Sequence, residues 1–208
     1  MKAFIFTGGL IYPENITEKV KTGDLCISAD GGYLNAKRRG VRSNILLGDL
    51  DSLGNTDVDK DTEVIQVPAE KDFTDTQFAI ETAIGRGADE IVIIGGLSGR
   101  LDHTLSNLSI LEDLSARRVH ALITDGNNRV RFINSTSTLI AKSAFKYVSI
   151  LLASEKAKGV SVEGCKYPLK NAKLDRRLQY TVSNEITGNC ALISVRKGSV
   201  YIVESRDV

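Results

Sequence analysis

The chain has 208 residues, 42% hydrophobic and 25% charged, enough for one sizeable core or for one medium and one small core. A net charge of +1 gives no reason to expect a nucleic-acid partner, and no apolar run approaches the length of a membrane span, so no membrane partner is expected either. Cys26, Cys165 and Cys190 are an odd, scattered set without a C-x-x-C pair, which removes a disulfide framework and a zinc site and leaves core thiols.

From the N-terminus, Met1-Lys2 runs straight into a strand-like segment with no signal-peptide pattern, so a cytoplasmic protein is expected. Apolar runs at 2–7, 25–29, 44–47, 64–67, 90–94 and 120–123 read as strands, and helical stretches alternate with them. That alternation predicts βα units around a mostly parallel sheet. One helix is expected to start at Thr74, where Thr74-Asp75-Thr76-Gln77 fits a capping box, and to stop at Gly85 and Gly87. A second helix carries Leu101, Leu105, Leu108, Leu111 and Leu114 at spacings of three and four, an apolar stripe suited to packing on the sheet. After about residue 138 the pattern changes to short β-branched runs at 138–141, 147–152, 159–162, 179–183, 191–195 and 199–203. These predict an antiparallel sandwich or small barrel, hence a second domain. Charge follows the same division: 15 basic against 20 acidic residues up to residue 140, then 12 against 6.

The candidate chemistry lies where the strands of the first part end. Gly8-Gly9 follows the first strand, and Asp30-Gly31-Gly32 the second, its glycines permitting close approach of a phosphate or ribose. Gly48-Asp49-Leu50-Asp51-Ser52 follows the third and sets two carboxylates one residue apart, which a cation between them would relieve. Lys71-Asp72 and Thr74-Asp75 follow the fourth, with Asp75 in the first turn of a helix, where the dipole favours a carboxylate with or without a ligand. Gly95-Gly96 with Gly99-Arg100-Leu101-Asp102-His103 follows the fifth. There Arg100 can fork onto phosphate oxygens, Asp102 can ligate or orient, and His103 can donate a hydrogen bond, while a capped helix start with a surface arginine remains the alternative. The spacing fits neither the P-loop nor the dinucleotide fingerprint. Taken singly each motif also fits an ordinary turn. Together they occupy strand ends that meet at one crevice in a parallel sheet, which points to a Mg²⁺-dependent enzyme acting on a phosphorylated nucleotide.

The ordered set Ala29-Asp30-Gly31-Gly32, Gly48-Asp49-Leu50-Asp51-Ser52, Lys71-Asp72 with Thr74-Asp75, Gly95-Gly96 with Gly99-Arg100-Leu101-Asp102-His103, Gly164 with Tyr167-Pro168-Leu169, and Ser183-Asn184-Glu185 resembles the thiamine pyrophosphokinase family. The resemblance implies transfer of a diphosphate from ATP to thiamine with release of AMP. It implies an α/β fold: an N-terminal, mostly parallel α/β nucleotide-binding domain over 1–135, then a C-terminal antiparallel β-sandwich domain over 136–208 that binds thiamine and dimerises. It also implies a homodimer with its active site at the subunit interface, and Mg²⁺ held by Asp49, Asp51 and Asp75. Lys71 and Arg100 would balance phosphate charge, with Gly9, Asp30, Gly31, Gly32 and His103 around ATP. Asp102 would share the acidic pocket and accept the thiamine proton, and Ser183 and Asn184 would approach thiamine. Some relatives resembling this chain place a tryptophan against the thiamine rings; here there is none. Tyr180 or Tyr201 is the expected substitute. A pterin pyrophosphokinase and a metal-dependent nucleotide hydrolase remain the alternative readings, together with a nucleotide-binding module that has lost catalysis.

Overall fold

Among the described residues of the first 126, six runs form parallel strands: β1 (Lys2–Phe6), β2 (Leu25–Ala29), β3 (Ile45–Gly48), β4 (Glu63–Gln66), β5 (Glu90–Ile94) and β6 (His120–Thr124). Their order is β4-β3-β2-β1-β5-β6, with every neighbour parallel. β1, β2, β3 and β5 are buried along nearly their whole length, as expected for strands covered on both faces, and so read as unbroken apolar runs. The chain moves outward from β1 through β4, then returns to lay β5 on the opposite side of β1. That reversal places a topological switch point between β1 and β5, where a crevice opens outside the strand ends. The computed structural model describes residues 1–49, 57–67 and 72–207.

Among the described residues, three α-helices belong to this unit: α1 (Gly32–Arg38), α2 (Asp75–Gly85) and α3 (Leu101–Ala116). α2 begins as expected, the Thr74 hydroxyl accepting from the Gln77 N–H at 3.2 Å, and buries Ala79, Ile80 and Ala83. In α3 the leucine stripe is only half used. Leu111 and Leu114 are buried, whereas Leu101 and Leu105 are 70% and 55% exposed, because the buried face toward the helix start is taken by Asn107. α1 was not foreseen, since Asp30-Gly31-Gly32 reads as a turn and the helix is only seven residues long. Among the described residues, no helix is long and apolar enough to cross a membrane.

The remaining strands are antiparallel: β7 (Asn128–Asn134), β8 (Ser137–Ala141), β9 (Tyr147–Leu152), β10 (Lys156–Glu163), β11 (Leu169–Asp175), β12 (Cys190–Lys197) and β13 (Ser199–Ser205). They pair as β7-β13-β9 and as β11-β10-β12-β8. Burial alternates along β12 and β13, and Ile133, Ile150, Val162, Ile193 and Ile202, drawn from both sets, share one core. Each such fully buried aliphatic side chain contributes about 1.5–3 kcal/mol. Inside this unit, Glu204 accepts from Arg129 at 3.3 Å and also from Arg131, a buried charge with both lobes of its carboxylate satisfied.

The chain divides into two units at Gly126/Asn127, earlier than the 135/136 boundary, because β7 pairs along its length with β13. Residues 179–183, expected as a strand, are irregular. Ile150 N–H donates to the Thr181 carbonyl and Val148 N–H to that of Asn184, both at 2.8 Å, but Ser183 at φ 60° turns the backbone out of any ladder.

Candidate functional site

The crevice at the switch point is a cleft of about 670 Å³ within the first unit. Its wall on one side is the turn after β1, and on the other the turn after β5. Two buried asparagines hold these turns. Asn35 of α1 donates to the carbonyls of Thr7 (2.8 Å) and Gly9 (3.0 Å), and Asn107 of α3 donates to that of Gly96 (3.0 Å). Ser98 ties one turn to the other: its hydroxyl accepts from Leu10 N–H at 2.8 Å and lies 3.3 Å from the Leu10 carbonyl. With their carbonyls engaged, the glycine turns are fixed in shape, the property that a phosphate cradle needs.

Of the residues singled out in the sequence, Gly9, Asp30, Gly31, Asp75, Arg100 and His103 line this cleft. Asp30 stands in the left-handed region at φ 49°, a conformation that asparagine and aspartate tolerate, and is pinned there by its N–H donating to the Leu47 carbonyl at 2.7 Å. Asp75 opens α2, where the positive end of the helix dipole favours its charge. Asp49 follows β3 and is half-buried, directly after Gly48, which packs against Asp30. Gly32 is buried and faces β1 instead of the cleft: a Cβ there would lie 1.9 Å from the Phe6 carbonyl oxygen, so only glycine lets α1 approach the strand. Asp51 and Lys71 lie outside the described residues. Among the described residues, no three His, Cys, Asp or Glu side chains gather closely enough to hold a metal by themselves.

Arg100 and Asp102 are engaged with each other at the start of α3. The guanidinium donates to both carboxylate oxygens, Nε to Oδ1 at 3.2 Å and Nη2 to Oδ2 at 2.6 Å, and Oδ1 also accepts from His103 N–H at 3.0 Å. The Arg100 guanidinium thereby holds the Asp102 carboxyl down at about 2, with the His103 amide adding to the effect. Both side chains are solvent-exposed, so the pair is easily opened. Sequence reasoning missed Thr7, Asn35, Arg38, Ser98 and Asn107, all of which line the cleft. Asparagine in the middle of an amphipathic helix is the one signal for Asn35 and Asn107, because a buried amide needs partners.

The second unit holds a smaller apolar cavity of about 80 Å³ over Ile150, Val162 and Ile193, with Tyr167 and Tyr180 at its mouth. Both tyrosines are largely exposed, and the Tyr180 hydroxyl donates to the Lys173 carbonyl at 3.1 Å. Asn184 lines this cavity and clasps Tyr167: its amide donates to the Tyr167 carbonyl (2.8 Å), and its oxygen accepts from the N–H groups of Tyr167 and Glu185 (both 3.0 Å). Ser183 N–H donates to the Ser149 hydroxyl at 2.9 Å. Tyr201, the other expected stacking residue, instead packs edge-on to Phe132, with centroids 5.4 Å apart.

Two family models match successive parts of the chain. Residues 16–123 match the family model described as thiamin pyrophosphokinase, catalytic domain, and residues 136–200 match the one described as thiamin pyrophosphokinase, vitamin B1 binding domain. The chain is 28% identical to a thiamine pyrophosphokinase of Bacillus subtilis over 88% of each chain. It is 26% identical to thiamin pyrophosphokinase 1 of Caenorhabditis elegans over 92% of this chain and 82% of that one. Among solved structures, a thiamin pyrophosphokinase from Geobacillus thermodenitrificans superposes with a TM-score of 0.86 at 28% identity, covering 100% of this chain and 98% of the other.

Proposed function

The chain belongs to the thiamin pyrophosphokinase family, and we infer on that premise that it passes the diphosphate of ATP to the hydroxyl of thiamine and releases AMP. One observation carries this reading: the two family models match in order, and the first covers most of the segment that builds the switch-point cleft. The pterin and hydrolase alternatives find no support in the comparisons.

In this reading the thiamine oxygen attacks the β-phosphorus in line, a new O–P bond forms as the bond from that phosphorus to the α,β-bridging oxygen breaks, and AMP departs. Catalysis is then mainly positioning and charge neutralisation. The glycine turns after β1 and β5, stiffened by Asn35 and Asn107, would fix the phosphate chain, and Lys71 and Arg100 would balance its charge. The donor set fits a hard divalent cation, since Asp75 lines the cleft and Asp49 follows the neighbouring strand end, both offering carboxylate oxygens. Mg²⁺ on Asp49, Asp51 and Asp75 would supply Lewis-acid stabilisation of the phosphate oxygens. Asp102 is a poor base while Arg100 holds it; when Arg100 turns onto phosphate, the carboxylate is released to accept the thiamine proton. The apolar cavity lined by Tyr167 and Tyr180 would offer a flat surface to a thiamine ring, with Asn184 in its wall. The proposed working form is a cytoplasmic homodimer with an active site shared between subunits, which light scattering with and without substrates will test.

The deciding experiment incubates the protein with ATP and Mg²⁺, with and without thiamine, and follows AMP and thiamine diphosphate by mass spectrometry. Thiamine diphosphate and AMP should appear together, only when thiamine is present, and chelation by EDTA should stop both. AMP formed equally without thiamine would overturn the transferase reading in favour of hydrolysis.

A further inference from the structure

The cleft has a second arginine that no motif announced. Arg38 is the last residue of α1, its exposed side chain lines the cleft, and its Nη1 donates to Asn35 Oδ1 at 3.1 Å. Asn35 is itself locked, because its amide nitrogen is committed to the Thr7 and Gly9 carbonyls, so its oxygen has one direction to face. The guanidinium is therefore aimed by a neutral partner on the rigid helix beside the turn after β1. Among the described residues no carboxylate pairs with it. Arg100, across the cleft, has its charge answered by both oxygens of Asp102. The two arginines differ in the property that matters to an anion: Arg100 must first leave a carboxylate, whereas Arg38 keeps its charge and most of its five N–H donors available.

We infer that Arg38 is the residue that first captures the phosphate chain of the nucleoside triphosphate in this cleft, with Arg100 recruited afterwards. The inference rests on the nucleotide reading of the cleft and deepens it. A polyphosphate entering a cleft lined by Asp30 and Asp75 meets like charge, and an unanswered guanidinium at the mouth offsets that repulsion before any other group moves. Its planar fork suits two phosphate oxygens at once.

The test is direct binding of α,β-methylene-ATP with Mg²⁺, which cannot be cleaved between the α- and β-phosphates, measured by calorimetry on wild type, Arg38→Met, Arg38→Lys and Arg100→Met. Arg38→Met keeps the aliphatic stem and should fold as wild type, checked by its melting temperature. Its Kd should rise about 10- to 100-fold, the loss expected for charge-assisted hydrogen bonds to phosphate, and the dependence of Kd on salt should flatten. Arg38→Lys should fall between, and Arg100→Met should weaken analogue binding less than Arg38→Met does. In turnover, Arg38→Met should raise KM for ATP and leave KM for thiamine within twofold. Analogue binding by Arg38→Met within twofold of wild type would overturn the inference, as would wild type that binds no analogue, which would overturn the nucleotide reading too. Binding that depends on Arg38 in a protein that makes no thiamine diphosphate would uphold the inference and remove the transferase reading.

Discussion

The two units build their cavities in opposite ways. In the first, the core and the cleft are separate: strands such as β1 and β5 are buried along nearly their whole length, and the cleft is made from what lies beyond their ends. In the second, the cavity is cut into the core, since Ile150, Val162 and Ile193 are at once its floor and members of the shared apolar cluster. A parallel sheet with a switch point can therefore change its charged groups at little cost to stability. An antiparallel layer that takes a ligand against its own core cannot separate binding from folding in the same way.

Substitutions on either side test that contrast. The largest effect is expected for Asp75→Asn, which should lower turnover at least 100-fold because the proposed Mg²⁺ would lose an anionic ligand. Its melting temperature should fall only slightly, by the loss of a dipole interaction worth about 0.3–1 kcal/mol; an unfolded variant would break the claim that cleft and core are separable. Next, Ile193→Ala should destabilise by about 2–5 kcal/mol in a denaturant titration, the usual cost of a cavity at a buried aliphatic residue. KM for thiamine should rise in parallel, and a stability loss with unchanged KM would show that the cavity receives nothing. Tyr180→Ala should raise KM for thiamine about 3- to 10-fold, consistent with ring contacts of about 0.5–1.5 kcal/mol, with KM for ATP unmoved. Thr74→Ala removes the cap of α2 and should cost about 1 kcal/mol of stability.

The smallest effect concerns acid. Asp102 has its carboxyl lowered to about 2 in the folded chain by Arg100, so its contribution to stability is present above the ordinary carboxylate range and is lost as the pH falls towards 2. Arg100→Met should remove that part of the acid dependence, visible as a slightly shallower fall of melting temperature between about pH 4 and 2. Unchanged pH dependence would mean that the pair does not persist in solution.

Much of the first unit was legible because buried parallel strands are continuous apolar runs, and the placement of motifs at their ends follows from that topology. What escaped was short or polar. α1 hides its core face in Tyr33 and Ala36 behind a glycine turn. β11, Leu169–Asp175, is an edge strand with little burial, so its lysines and asparagine masked it. β7 carries Arg129 and Arg131, whose pairing with Glu204 no local pattern announces. In the cleft, glycines and carboxylates were visible by type, but the asparagines that hold the turns act through backbone carbonyls distant in sequence, a relation that only the fold creates. Tyr180 could not be separated from Tyr201 by sequence either, since both sit in β-like stretches and only the cavity distinguishes them.

Gly32 bears on how a genetic screen of this chain should be interpreted. A saturation library scored by growth on thiamine as the sole source of thiamine diphosphate would rank it beside the carboxylates, because any side chain there meets the Phe6 carbonyl. Such a position mimics a substrate contact while touching none. Measuring cellular abundance together with growth would separate the two: variants of the carboxylates should accumulate as inactive protein, and variants of Gly32 should disappear.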